Sequence, residues 1–250
     1  GLWLCGVLAL FLPVTQLYAS TEVEINYVSS HLWYFSQDVK IMGSYAFCVF
    51  NYGLMVVDLS DPAAPKCVSR LATSGTGLSL ELAGDFAYLA DYSAGLQVID
   101  ISEPLAPKLM STIDTPGKAV DVAVQGDFAY IADQDGGIHV VDVSNPDEPQ
   151  LTASLRTPDD ARGVAVANEY AYVAVGDSGL LVVDVSNPYS PVVERTCDTR
   201  EYAREVVIAG NLLVLLDGYG LQLFDLSDPT YPCLIGSLDG GSLRSIVILG

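Results

Sequence analysis

Residues 138–149 read IHVVDVSNPDEP, and versions of this phrase occur five times along the 250-residue chain. The other four are LMVVDLSDPAAP at 54–65, LQVIDISEPLAP at 96–107, LLVVDVSNPYSP at 180–191 and LQLFDLSDPTYP at 221–232. Successive copies begin 41 or 42 residues apart, and a fixed period of this length indicates a repeat architecture. Residues common to all copies are therefore expected to support the fold, and function is expected where the copies differ.

The repeat around this phrase, residues 118–157, divides into four short apolar stretches separated by turn residues. AVDVAVQG leads through a GD turn to FAYIAD, a polar QDGG loop follows, and IHVVDV ends at SNP before a last stretch at 150–155. β-Branched and aromatic runs broken by Gly, Asp, Asn and Pro are typical of strands and exclude long helices. Four antiparallel strands in about 42 residues predict the blade of an all-β protein, a β-propeller. A parallel β-helix has a shorter repeat, and a leucine-rich repeat has a different Leu/Asn frame.

Three kinds of residue recur in every copy, and each has a physical explanation. A glycine precedes the third strand, where the turn needs a positive φ or a close approach of two backbones. A proline ends that strand, and a second one three residues later opens the outer strand, since edge strands tolerate proline. An aspartate closes the third strand and is expected to cap turn N–H groups within its own blade. The glycines are Gly53, Gly95, Gly137, Gly179 and Gly220, and the aspartates are Asp58, Asp100, Asp142, Asp184 and Asp225.

The repeated phrase, together with the pieces GDFAYLAD, GDFAYIAD and NEYAYVAV, resembles the LVIVD repeat, a family of secreted or surface proteins of bacteria and archaea. The resemblance covers essentially residues 31–250. It implies an exported β-propeller that is often attached to the cell surface, and it implies no reaction.

The two ends of the chain suggest an incomplete ring. LRSIVILG at 243–250 matches the opening strand REVVIAG at 204–210, so the sequence stops one strand into a sixth copy. Residues 20–30 are predicted to contribute an N-terminal strand that closes the ring, because open sheet edges are generally avoided. We therefore expect a propeller over residues 31–250 that is incomplete at its C-terminal end and has at least six blades in the intact protein.

An apolar stretch at residues 2–12 predicts a signal peptide over residues 1–19. It is too short to span a bilayer as a helix, and cleavage after Ala19 would fit. The protein is therefore expected to be secreted or at the cell surface, with no insertion into the membrane after the signal is removed. Four cysteines would remain, at unrelated repeat positions; isolated thiols are favoured, and one disulfide stays open as an alternative. They are Cys48, Cys67, Cys197 and Cys233.

Acidic residues dominate the charge, with 31 Asp and Glu against 11 Lys and Arg, a formal net charge of −20. Nucleic-acid binding is excluded as a main function, because contact with phosphates needs a basic surface. High solubility of a secreted protein explains the charge. Diffuse attraction of cations, with calcium as the obvious one, is the alternative.

Arginines at the channel mouth are the first candidate site. The residues that lead into the first strand of successive blades are Gln37, Leu78, Val120, Arg162, Arg204 and Arg244, so three consecutive copies carry arginine. Acids occupy the next position in alternate copies, as Asp38, Asp121 and Glu205. Arginine favours planar contact with carboxylates or phosphates, which predicts a site for an anionic ligand such as a carboxylated glycan. The alternative is that these arginines pair with the neighbouring acids between blades.

A second candidate is the loop that contains Asp133 and Asp135. Alternating carboxylates next to glycine resemble part of a calcium loop, although the twelve-residue EF-hand pattern is absent. Calcium bound there is the one cofactor hypothesis that the sequence offers.

Motifs of catalysis are missing: GxSxG, HExxH, Walker and GxGxxG patterns do not occur in a suitable setting. His139 is predicted to be an ordinary strand residue, because its equivalents are Met55, Gln97, Leu181 and Gln222. The sequence therefore predicts a non-catalytic extracellular module that presents a propeller face to a protein or glycan. The alternatives are an extracellular propeller hydrolase or lyase that acts on polysaccharide, and an accessory propeller to a downstream domain.

Overall fold

The computed structural model describes residues 7–10, 36–240, 243 and 245–248, and in these residues the regular structure consists of β-strands. Twenty strands form five four-stranded antiparallel sheets, one for each copy of the repeated phrase. This confirms the predicted all-β fold of four-stranded blades with a period of about 42 residues. Blade 1 contains β2 (Asp38–Met42), β3 (Tyr45–Phe50), β4 (Gly53–Asp58) and β5 (Lys66–Ala72), and blade 2 contains β6 (Ser79–Ala83), β7 (Phe86–Ala90), β8 (Leu96–Asp100) and β9 (Lys108–Ile113). Blade 3 contains β10 (Asp121–Gln125), β11 (Phe128–Ala132), β12 (Ile138–Asp142) and β13 (Gln150–Leu155), and blade 4 contains β14 (Ala161–Ala167), β15 (Tyr170–Val175), β16 (Leu180–Asp184) and β17 (Val192–Cys197). Blade 5 contains β18 (Glu205–Ala209), β19 (Leu212–Leu216), β20 (Gly220–Asp225) and β21 (Cys233–Asp239).

Each blade is a simple meander in which every strand pairs with the next one along the chain. The register shifts once between the third and fourth strands, and it does so at the same place in all five blades, between Val140 and Val141 in blade 3. A bulge at this place bends the sheet and increases its twist, which suits an outer strand.

The hydrophobic core lies between neighbouring blades. In blade 3, which has a blade on each side, the second and third strands are buried along most of their length. β11 is partly exposed only at its first residue and β12 only at its last residue. One cluster joins blade 3 to blade 4 through Tyr130, Val140, Val173 and Val183, and similar clusters join the other consecutive pairs. A blade therefore depends on its neighbours for a core, as expected for a stacked repeat.

The two ends of the blades differ, and we name them separately. The turn face carries the turns between first and second strands and between third and fourth strands. The connection face carries the loops between second and third strands and the links between blades. On the turn face the two turns of one blade are joined by a backbone hydrogen bond, from Val143 N–H to the carbonyl of Asp127 in blade 3 at 2.8 Å, and the same bond occurs in every blade.

The recurring aspartate makes the same contact in all five blades. In blade 3, Oδ1 of Asp142 accepts a hydrogen bond from the backbone N–H of Ser144 at 3.0 Å. The corresponding bonds of Asp58, Asp100, Asp184 and Asp225 measure 2.8 to 2.9 Å. These distances confirm the prediction that the aspartates cap turn N–H groups of their own blade.

The recurring glycine allows two backbones to approach each other closely on the connection face. Gly137 has a φ of +87°, and a Cβ at this position would lie 2.4 Å from the carbonyl oxygen of Leu155. An added Cβ would lie 2.0 to 2.4 Å from a carbonyl oxygen at the other four glycines as well. The close approach therefore applies to all five glycines, and a positive φ is present at all of them except Gly220.

Near the chain ends the structure describes one two-stranded sheet. β1 (Val7–Leu10) pairs in parallel with β22 (Ser245–Ile248). The predicted closing strand at 20–30 and Arg244 lie outside the described residues. β1 falls within the predicted signal peptide, so cleavage after Ala19 would remove it; that cleavage stays a prediction.

The four cysteines outside the predicted signal peptide are free thiols in this structure. Cys48 and Cys197 are half-buried, whereas Cys67 and Cys233 are exposed. Burial is the main reason why the pKa of Cys48 rises to about 11, which makes its thiol unreactive at neutral pH. None of the described segments forms a helix long and apolar enough to cross a bilayer.

Candidate functional site

The channel-mouth positions of four consecutive blades meet around one cavity on the connection face. Its volume is about 620 Å³. It is lined by Leu78, Val120, Gln134, Arg162, Tyr202 and Arg204. The structure brings Arg162 and Arg204 together in this cavity, as expected for equivalent positions of successive blades. Their role in binding a ligand stays a prediction.

Arg162 is held in place by its own blade and by the next one. Its Nη2 donates a hydrogen bond to Oδ2 of Asp160 at 2.8 Å, and its guanidinium carbon lies 5.4 Å from the ring centre of Tyr202 in blade 5. Its Nε is buried and has no hydrogen-bond partner among the described residues. About a third of the side chain remains exposed, so this arginine can still contact a ligand.

Arg204 is the freer of the two guanidinium groups. It is exposed, its guanidinium carbon lies 5.9 Å from the same Tyr202 ring, and it forms no ion pair with a carboxylate of the described residues. Of the two arginines that the structure describes here, Arg162 pairs with Asp160 of its own blade rather than with an acid of a neighbouring blade. A cation near an aromatic face gains about 0.5–1 kcal/mol at an exposed site.

The acids predicted to belong to this site instead join successive blades. Asp121 begins β10, and its Oδ2 accepts a hydrogen bond from the backbone N–H of Val164 in the next blade at 2.8 Å. Asp38 accepts the equivalent bond from Leu80 at 2.8 Å, and Glu205 accepts it from Ile246 at 3.3 Å. The three acids therefore share one role, which is to accept a backbone hydrogen bond from the next blade. None of the three is among the residues that line the cavity.

Asp121 also receives hydrogen bonds from the hydroxyl group of Ser79 and from the backbone N–H of Val122. Burial nevertheless dominates and raises the pKa of Asp121 to about 6, because the hydrogen bonds offset only part of the desolvation of the charged form. Asp121 therefore joins blades 2, 3 and 4 through a carboxyl group that can titrate.

The two aspartates predicted to bind calcium have different environments. Asp133 is fully buried and accepts hydrogen bonds from the hydroxyl group of Thr115 and from Gly117 N–H, while Asp135 is exposed. Within the described residues, no three His, Cys, Asp or Glu side chains are arranged so that they could hold a metal ion. Calcium binding by Asp133 and Asp135 thus rests on the sequence pattern alone.

A second cavity, of about 350 Å³, lies beside this loop in blade 3. It is lined by Pro116, Asp135, Gly136, His139, Ser154 and Arg156. The loop buries Asp133 against His139, whose Nε2 lies 2.9 Å from Oδ2 of Asp133. This contact could not be predicted from one copy, because the two residues lie on adjacent strands and meet only through the strand register.

Comparison of the copies does contain a signal for this contact. Where the third strand carries glutamine, an aspartate directly follows the second strand, and the two bond at 2.7 Å in the pairs Gln97–Asp91 and Gln222–Asp217. Where the third strand carries Leu181, the second ends in Val175. The sequence analysis also did not predict that Tyr202 belongs to the arginine cavity. Its equivalents in other copies are Thr76, Lys118 and Asp160, so an aromatic residue at a variable loop position was the feature that could have indicated its role.

Meandering four-stranded blades that share cores with their neighbours define the protein as a β-propeller. The LVIVD repeat model matches residues 35–73, 74–115, 116–157, 158–199 and 201–240. The chain therefore belongs to the LVIVD repeat family, which confirms the resemblance seen in the sequence. No curated protein matches the sequence significantly.

Solved structures support the fold at low sequence identity. A functionally unknown protein from Desulfotomaculum acetoxidans has a TM-score of 0.74 at 16% identity, over 86% of this chain and 73% of that one. A protein from Lactobacillus plantarum has a TM-score of 0.71 at 14% identity, over 82% and 71%. The β-propeller domain of Myceliophteria thermophila Cps50 (Swd1) has a TM-score of 0.65 at 12% identity, over 85% and 76%. At such identities the likeness concerns the fold alone.

Proposed function

We propose that this protein is an extracellular binding module whose connection face holds a carboxylate-bearing protein or glycan in the arginine cavity without catalysing a reaction there. The observation that carries the proposal is the cavity in which Arg162 and Arg204 both lie near the Tyr202 ring. Arginine and tyrosine dominate the energetics of many interfaces, and a guanidinium group matches a carboxylate in two parallel hydrogen bonds. Leu78 and Val120 also line the cavity and add apolar surface to it.

Charge supports a compact anionic group as ligand. The chain has a net charge of −20, so most of its surface repels anions, and two neighbouring arginines in a cavity are a local exception. A carboxylate that reaches the cavity finds the guanidinium group of Arg204 and that of Arg162, whose charge Asp160 partly offsets, whereas an extended polyanion would also meet the surrounding acids. This repulsion favours ligands with one or a few carboxylates and thereby adds specificity.

The fold suits a module that binds without changing shape. Arg162 lies on β14 and Arg204 directly precedes β18, and both strands belong to blades that share a buried core. Side chains held by packed strands keep their positions better than those on long loops. The apolar stretch at residues 2–12 supports export, so partners at the cell surface are the natural candidates.

Isothermal titration calorimetry with two ligands tests the proposal: a galacturonate oligosaccharide and a glutamate-rich peptide, each compared with its neutral methyl ester. We expect at least one of the acids to bind and its ester to bind at least tenfold more weakly. Arg204→Ala should weaken binding by about tenfold or more, which corresponds to about 1.4 kcal/mol.

Arg70→Ala is the matched control, because Arg70 is an exposed arginine on the outer strand β5, outside the cavity lining. Equal loss of binding in Arg70→Ala and Arg204→Ala would show that only overall charge matters. No loss in Arg204→Ala and Arg162→Ala would remove the proposed site.

A further inference from the structure

Three side chains of blade 3 form a chain of contacts from the core to the surface. Asp133 and His139 are buried, at 0% and 1% exposure, and Oδ2 of the acid lies 2.9 Å from Nε2 of the imidazole. On the other side of the ring, Nδ1 of His139 lies 2.8 Å from the hydroxyl oxygen of Ser154. Ser154 is exposed on β13, so the chain ends at solvent.

The contacts of the ring fit one tautomer. A carboxylate beside Nε2 favours a proton on that nitrogen, which leaves the lone pair of Nδ1 to accept the hydrogen of the Ser154 hydroxyl group. The approach of Nε2 to Asp133 is close but outside good hydrogen-bond geometry. Such contacts in unliganded sites often tighten only when substrate binds. Serine, histidine and a buried acid in this order are the parts of a nucleophilic triad, with the two ring nitrogens used in the reverse order from serine proteases.

Other blades provide the same scaffold without a base. The register places Thr112 opposite Gln97 and Ser237 opposite Gln222, just as it places Ser154 opposite His139. Glutamine can bond the buried acid but cannot accept a proton at neutral pH. Blade 3 is therefore the blade, among the five described, whose hydroxyl group at this position faces a base.

The cavity beside Ser154 has room and polarity for a small substrate. Its volume is about 350 Å³, and Arg156 and Asp135 line it together with Ser154. Arg156 supplies a cation for a developing oxyanion. Asp135 disfavours an anionic substrate, so a small neutral ester fits these charges best.

We propose that Ser154 is a nucleophile activated by His139, and that this site hydrolyses small neutral esters. Ser154 Oγ bonds to the carbonyl carbon while its proton moves to Nδ1 of His139; the ester C–O bond then breaks, and the alcohol leaves with that proton. Water attacks the acyl-serine and gives a proton to Nδ1, and Ser154 takes this proton as the carboxylic acid is released. Asp133 is a positioning residue, since it holds the ring and stabilises the imidazolium. This site is distinct from the arginine cavity and does not depend on the function proposed above.

Labelling of the purified chain with a fluorophosphonate, followed by peptide mass spectrometry, tests the site directly. We expect Ser154 to be labelled at least 100-fold faster than Ser237, which is also exposed but faces Gln222. Hydrolysis of p-nitrophenyl acetate should fall by a similar factor in Ser154→Ala. His139→Gln should abolish both reactions while it reproduces the glutamine–aspartate pair of blades 2 and 5, so its fold should be kept.

The pH profile separates a base from a merely structural histidine. Labelling of the wild type should rise with pH because it requires the unprotonated imidazole, whereas labelling of Ser237, which faces Gln222, should not follow the same rise. Labelling of Ser154 no faster than of Ser237, or an unchanged rate in folded His139→Gln, would overturn the proposal. Should His139→Gln fail to fold, Ser154→Ala and the wild-type pH profile decide: unchanged ester turnover in Ser154→Ala, or a flat profile, also overturns it.

Discussion

Aspartate occurs at both ends of the blades, but the two ends shift its pKa in opposite directions. On the turn face, hydrogen bonds from Ser60 and Ser102 lower the pKa of Asp58 and Asp100, because these exposed carboxylates gain donors and lose little solvent. On the connection face, burial raises the pKa of Asp121 to about 6 and also raises the pKa of Asp91. Hydrogen bonding therefore dominates the pKa of aspartate on the turn face, and desolvation by burial dominates it on the connection face.

The turn face has the same capping arrangement in all five blades. The strand-end aspartate, the serine N–H that it accepts from and the following proline repeat in every blade. The connection face differs from blade to blade: at the equivalent position where the second strand gives way to the loop, blades 2, 3, 4 and 5 carry Asp91, Asp133, Val175 and Asp217. Repetition thus marks the parts that support the fold, and divergence marks the face on which both candidate sites lie.

Substitution of one glycine on each face should give the largest difference in stability between the two faces. Gly137 and Gly126 both have positive φ, at +87° and +59°, but an added Cβ meets the Leu155 carbonyl oxygen at 2.4 Å only at Gly137 and meets nothing within 4 Å at Gly126. Gly126→Ala should lower the free energy of unfolding by about 1 kcal/mol. Gly137→Ala adds a backbone clash and should cost about 3 kcal/mol or more. Urea unfolding followed by far-ultraviolet circular dichroism measures the free energy of unfolding of both variants.

Equal losses in the two variants would contradict the close backbone approach on the connection face. Gly84→Ala is a second control for the turn face, since Gly84 has a φ of +57° and nothing within 4 Å of an added Cβ. It should behave like Gly126→Ala.

The sequence contains enough information for the fold but only part of the candidate sites. Strand number, turn positions and the capping role of Asp142 follow from a pattern repeated five times, because each copy reports the same local constraint. That Arg162 and Arg204 lie near each other also follows, since equivalent residues of successive blades line the same cavity. Contacts that depend on strand register or on the next blade do not follow from a single copy; the Ser154–His139 contact and the position of Tyr202 are of this kind.

Titration should distinguish the two faces by the sign of the effect. Because the pKa of Asp121 is higher in the folded state than its usual 3.8, the folded state holds the proton more tightly. Its contribution to the free energy of unfolding is therefore fullest below about pH 4 and falls as the pH rises to about 6. We expect Asp121→Asn to remove a fall of about 2 kcal/mol over this range, after allowance for partial exposure of the side chain. Urea unfolding at a series of pH values measures it.

Asp142→Asn is the matched control on the turn face. Hydrogen bonds with Ser144 lower the pKa of Asp142, so its contribution is present above about pH 4 and is lost as the pH falls below this value. Its replacement should leave the window from pH 4 to 6 unchanged. An equal slope in wild type and Asp121→Asn across that window would show that the link between blades 2, 3 and 4 does not titrate there.

The smallest expected effect concerns the outer strands, where a hydroxyl group joins one blade to the next. Ser69 and Ser111 each donate a hydrogen bond to a proline carbonyl of the next blade, at 2.6 and 2.7 Å. Blade 3 has Ala153 at the equivalent position. Ala153→Ser should create the same bond to the carbonyl of Pro188 and raise the free energy of unfolding by about 0.5 kcal/mol, the low end for a net hydrogen bond.

A different contact already stabilises the junction between blades 3 and 4, and it limits the gain in the free energy of unfolding expected from Ala153→Ser. Phe128 packs edge-on against Tyr189 of blade 4, with ring centres 5.7 Å apart, and aromatic pairs of this kind contribute about 0.5–1.5 kcal/mol. In a Tyr189→Ala background, Ala153→Ser should therefore recover part of the stability that the aromatic pair supplied. Ser111→Ala is the reference for the value of one bond. A loss of stability in Ala153→Ser in both backgrounds would mean that the hydroxyl group is desolvated without a partner, and that blade 3 meets blade 4 in a geometry different from the junctions before it.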